Sequence, residues 1–97
     1  MVLNRFFLSN YMKKYYLFYN ELIDHYYLDC GVFDRNRVDL GVCKDFFGLE
    51  KKLKENLSLH RKSLMHVNKN FPLKYRQNLK EFFKNSRVKV SFEYQQV

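Results

Sequence analysis

The chain has no Trp, no Ala and no Thr, one Pro (Pro72), one Ile (Ile23), three Gly and two Cys. Gly31, Gly41 and Gly48 stand too far apart to form a glycine-rich phosphate loop, which removes the common nucleotide-binding fingerprints. Two cysteines cannot build the disulfide framework of a small secreted domain. Twelve residues separate Cys30 from Cys43, whereas a zinc knuckle places its ligands two to four apart. The thiols therefore read as reduced cysteines of an intracellular protein, in the cytoplasm or the interior of a host cell. Long hydrophobic runs are missing too. Asn4, Arg5, Asn10, Lys13 and Lys14 interrupt the apolar N-terminal stretch well before the about 20 residues that a transmembrane helix needs. Nor is there a metal-ligand or cofactor pattern. His60 and His66 fall about 120° apart on a helix, and Glu21 and Asp24 share a helix face with no sign of a pocket, so no enzyme, metal or cofactor is expected. The lack of Ala and Thr beside abundant Phe, Tyr, Asn and Lys is what an A/T-rich genome writes, as in a virus, a phage or a reduced parasite.

What the chain does have is rings, leucine and positive charge. Ten Phe, eight Tyr and a hydrophobic content of 46% are enough for one small folded domain over 1–97. From Leu3 to Leu28 there is no Gly or Pro. Apolar positions recur there at helical spacing, as Phe7, Tyr11, Tyr15, Phe18, Leu22 and Tyr26, which predicts a long aromatic helix over 3–28. Val38, Leu40 and Val42 alternate with Asp39 and Gly41, which predicts a strand over 38–42. Leu49, Leu53, Leu57, His60, Leu64 and Val67 form the stripe of a second helix over 49–68. Pro72 suits the first turn of a third helix over 72–85. Val88, Val90, Phe92 and Tyr94 alternate with polar residues as a strand over 87–94 that pairs with the 38–42 segment or else with an edge of another chain. The expected fold is thus mainly α with a minor two-stranded β element.

Charge divides the chain. Residues 1–43 carry as many acidic as basic groups, so the formal net charge of +8 resides entirely in residues 44–97. On the third helix Arg76, Lys80 and Lys84 recur every fourth residue. Lys69 and Lys74 precede them, Arg87 and Lys89 follow, and Glu81 alone interrupts the series. Like charges at this spacing weaken their own helix, so the stripe points outward to an anionic partner. The reading is a small basic accessory protein that binds nucleic acid or a ribonucleoprotein surface through Lys69, Lys74, Arg76, Lys80, Lys84, Arg87 and Lys89. The alternative is a protein-interaction module, an inhibitor or adaptor, that presents Tyr11, Tyr16, Tyr19 and Tyr27 from the first helix and meets an acidic partner or a second copy.

Overall fold

The computed structural model describes residues 13–30 and 36–93. These form β1 (Lys13–Asn20), β2 (His25–Cys30), β3 (Asn36–Gly41), α1 (Phe46–Asn56), β4 (Ser63–Val67), α2 (Leu73–Phe83) and β5 (Val88–Phe92). The strands make one mixed sheet in the order β3-β2-β1-β4-β5. This overturns the expectation of a helical protein with a minor β element.

The long first helix is the main correction. Within the described residues its span is an antiparallel hairpin, with Leu17 opposite Leu28 and Tyr19 opposite Tyr26. Tyr15 and Leu17 are buried, while Tyr16 and Phe18, which alternate with them, point to the other face. Because both faces carry rings, the period of two is hidden in the composition, and the same residues also fall on helical rows. Tyr and Phe nevertheless fit a pleated surface better than a helix. The hairpin turn has neither Gly nor Pro. Asn20 Oδ1 accepts from the Leu22 amide, and Asp24 adopts φ 53°, a left-handed conformation that a short polar side chain tolerates.

The expected second helix is split. Asp45 caps α1 by accepting from the Gly48 amide at 3.0 Å, and the helix ends where Leu57 turns extended at φ −142°. After a short loop, Ser63, Met65 and Val67 of β4 point into the core. His60 is exposed in that loop and lies on no leucine stripe. The two expected strands are not partners either: β3 pairs with β2, β5 pairs with β4, and they stand at opposite edges of the sheet.

Strand directions fix where the helices go. β2 is antiparallel to both β1 and β3, and β4 is parallel to β1 and to β5. Both crossovers, β3 to β4 and β4 to β5, therefore join parallel strands and step in the same direction across the sheet. Right-handed crossovers of that kind put both helices on one face. Phe46 of α1 duly meets Tyr75 and Phe82 of α2 at ring separations of 5.8 and 6.5 Å. The core lies between: Leu49, Leu53, Leu79 and Phe83 from the helices pack on Tyr15, Leu17, Tyr26, Leu28, Met65, Val67 and Val88 from the sheet. No described element covers the opposite face.

Candidate nucleic-acid interface

α2 buries Leu79 and Phe83 and turns Lys80 and Glu81 between them outward. Its stripe does not stand free of the fold. The Arg76 guanidinium carbon lies 5.3 Å from the centre of the Phe92 ring, and Lys80 Nζ lies 5.6 Å from the same ring. Phe92 belongs to β5, the edge strand, so this ring joins the helix stripe to the sheet edge. Lys84 continues the stripe at the helix end and Arg87 precedes β5. Lys89 projects from β5 on the face away from the helices, and all three are exposed. At the other end, Lys69 lies in the loop between β4 and α2, and Lys74 Nζ stands 5.0 Å over the Tyr75 ring.

The carboxylates of this region are engaged elsewhere. Glu81 accepts from the Gln77 amide, and Glu93 accepts from the Lys69 backbone N–H at 3.1 Å. Among the described residues the ion pairs are His25 with Asp39, Arg37 with Asp29 and Lys54 with Glu50, so Arg76, Lys80, Lys84, Arg87 and Lys89 contribute to none. Arg76 is half-buried, and its Nε and Nη2 are buried with no hydrogen-bond partner among the described residues.

The four tyrosines assigned to a helical docking face are dispersed. Tyr11 lies outside the described residues. Tyr19 belongs to the core side, where its ring packs on Tyr26 at 4.7 Å and its hydroxyl donates to Asp24 Oδ1 at 2.7 Å. That hydrogen bond, reinforced by burial, pushes the Tyr19 phenol up to about 12. Burial likewise raises the Tyr26 phenol and the Cys30 and Cys43 thiols, and both thiols are free. Tyr16 and Tyr27 sit on the uncovered sheet face.

On that face the register aligns Arg37, Asp29, Tyr16, His66 and Ser91 in one row across all five strands, with Tyr27 and Phe18 in the next. Tyr16 stacks on Phe18 at 6.2 Å and meets His66 edge-on at 5.6 Å. Arg37 spans the rings of Phe18 and Tyr27 at 5.5 and 5.6 Å, and Asp29 holds its guanidinium through bonds of 2.9 and 3.2 Å. Beside this row opens a cleft of about 380 Å³, lined by Phe18, Tyr27, Arg37, Asn20, Asn68 and Asn70 among others. It sits at the carboxyl ends of β1 and β4, neighbouring parallel strands whose onward connections leave in opposite directions. The sequence reading put none of Phe18, Arg37, His66, Asn68 and Asn70 in a binding site. The alternation of Lys14, Tyr16 and Phe18 against Tyr15, Leu17 and Tyr19 was the signal that would have found the ring face.

No protein-family model, no curated protein and no solved structure matches this chain. The site must be read from its own chemistry. Among the described residues no group of His, Cys, Asp or Glu side chains is arranged to hold a metal ion, and no helix is long and apolar enough to cross a membrane.

Proposed function

We propose that this protein is a small basic accessory protein that binds nucleic acid or a ribonucleoprotein surface through the cations of α2 and the β5 edge. The observation that carries the reading is the cluster around Phe92. Arg76 and Lys80 both lie over this one ring, while Lys84, Arg87 and Lys89 extend the same border, and no carboxylate among the described residues neutralises any of the five. A solubilising surface intersperses both signs of charge. Here five cations gather along one helix and the strand beside it, against Glu81 on the helix and Glu93 after the strand, an excess of positive charge that suits phosphate contacts.

The protein-interaction reading relied on a continuous helical face of Tyr11, Tyr16, Tyr19 and Tyr27, and the hairpin removes that face. The test is charge reversal. Lys80→Glu with Lys84→Glu is expected to abolish retention of nucleic acid at low salt while leaving the far-UV circular dichroism unchanged, because both side chains are exposed. Undiminished binding by that variant rejects the stripe as the contact.

A further inference from the structure

Resting on that reading, we infer that the uncovered sheet face and its adjoining cleft bind the unstacked bases of a single-stranded RNA segment. Tyr16, Phe18, Tyr27 and His66 occupy adjacent register positions on the central strands, and Tyr16 is 40% exposed. Aromatic rings on a sheet face, together with the plane of an arginine, are the surface on which single-stranded bases stack. Arg37 supplies that plane over Phe18 and Tyr27.

Charge favours RNA over an apolar protein partner. Lys14 and Lys89 flank Leu64 in one row of the face. Of the carboxylates on the face and in the cleft, Asp29 is held by Arg37 and Asp39 by His25 Nε2 at 3.4 Å, while Glu21 lies in the cleft wall. The face is also continuous with the proposed phosphate contact, because Lys89 on β5 belongs to both. A strand of RNA could run its backbone along the β5 border and lay its bases inward across β4 and β1.

The cleft adds selectivity. Asn68 is a strut: its Oδ1 accepts from the Tyr19 amide and its Nδ2 donates to the Tyr19 carbonyl, so it ties β1 to the end of β4. The Asn70 side chain is exposed with no bond among the described residues, and Asn20 uses only its oxygen, toward Leu22. Their remaining amide groups stand beside the Phe18 and Tyr27 rings in the cleft wall, within reach of a base edge and a ribose hydroxyl. A 2′-hydroxyl contact is what separates RNA from DNA. A duplex keeps its base faces stacked and offers nothing to these rings.

The decisive experiment is anisotropy titration of labelled single-stranded RNA, the same sequence as DNA, and an RNA duplex. The proteins are wild type, Tyr16→Leu with Phe18→Leu, and Lys80→Glu with Lys84→Glu. Leucine keeps apolar bulk on the strand and removes stacking. The leucine pair is expected to weaken single-stranded RNA binding about tenfold to hundredfold, with duplex affinity and salt slope unchanged. Ultraviolet cross-linking of the wild type, independent of any variant's folding, is expected to place RNA on Tyr16, Phe18 or Tyr27. Single-stranded affinity within about twofold of wild type, or cross-links confined to α2, overturns the inference and leaves the face to protein contacts. Equal affinity for the DNA strand overturns the assignment to RNA. Loss in the leucine pair with full binding by the glutamate pair upholds the ring face and rejects the α2 stripe, so the two readings fail separately.

Discussion

Replacing Arg76 with Met separates the stability of this fold from its proposed binding. Met keeps an unbranched side chain of similar reach over Phe92 and removes the guanidinium. Nε and Nη2 of Arg76 are buried without a partner among the described residues, and each such donor costs about 1–3 kcal/mol. Against this stands the attraction of the guanidinium for the Phe92 ring at 5.3 Å, worth about 0.5–2 kcal/mol in a partly desolvated site. The desolvation cost of two donors outweighs one ring contact, and Met recovers part of the packing through its own contact with the ring. Arg76→Met is therefore expected to stabilise the protein by about 1 kcal/mol, raising Tm by roughly 4–8 °C in a domain of this size. Urea unfolding followed by far-UV circular dichroism measures it, with an unchanged m-value as the check that the denatured state is the same. Affinity for RNA should fall in the same variant, the pattern of a residue kept for function at the expense of stability. A drop in Tm of several degrees would refute the reasoning, because it would make the guanidinium a support of the α2 to β5 packing.

Other outcomes follow from the core and from the titrating groups. Leu53→Ala, at a fully buried position between α1 and the sheet, is expected to cost about 2–5 kcal/mol in urea titration; less than 1 kcal/mol would mean that α1 is not seated as described. Tyr19 carries a pH dependence whose sign is fixed by its raised pKa. Its stabilising contribution is complete below the ordinary phenol value of 10.0 and is lost as pH rises from there through about 12. Thermal melts across that range should decline less steeply in Tyr19→Phe than in wild type, and identical slopes would dissociate the phenol from the alkaline transition.

The parts of the fold that could be read from the sequence are those where one face is apolar and the other polar. The β5 alternation of Val88, Val90 and Phe92 against Lys89 and Ser91 is one such part, and α2, with Pro72 before it and Leu79 and Phe83 inward, is another. The β1-β2 hairpin was illegible because its outer face is itself aromatic, so polarity does not alternate even though direction does. Asn20 and Asp24 held the turn signal in their side-chain chemistry. β4 was lost for a related reason: Leu64 and Val67 continue the helical row of Leu49, Leu53 and Leu57, although they lie on opposite faces of β4, and the extended Leu57 with the loop after it breaks that row. Placing α2 correctly located the basic stripe, but the strand order that carries Phe92 beneath it depends on pairings far apart in the chain. The ring face depends on the same pairings. Tyr16 meets His66 across fifty residues of sequence, a distance over which local periodicity is silent.

The salt dependence of RNA affinity tests most directly whether the cations beside Phe92 contact phosphate. Each phosphate contact contributes about 0.7 to the slope of log affinity against log salt for a single strand. Neutralising Lys80 and Lys84 to Gln is expected to make the slope shallower by about 1.4, with the thermal stability of the wild type retained. An unaltered slope in that variant, or a wild-type affinity indifferent to salt, contradicts the account.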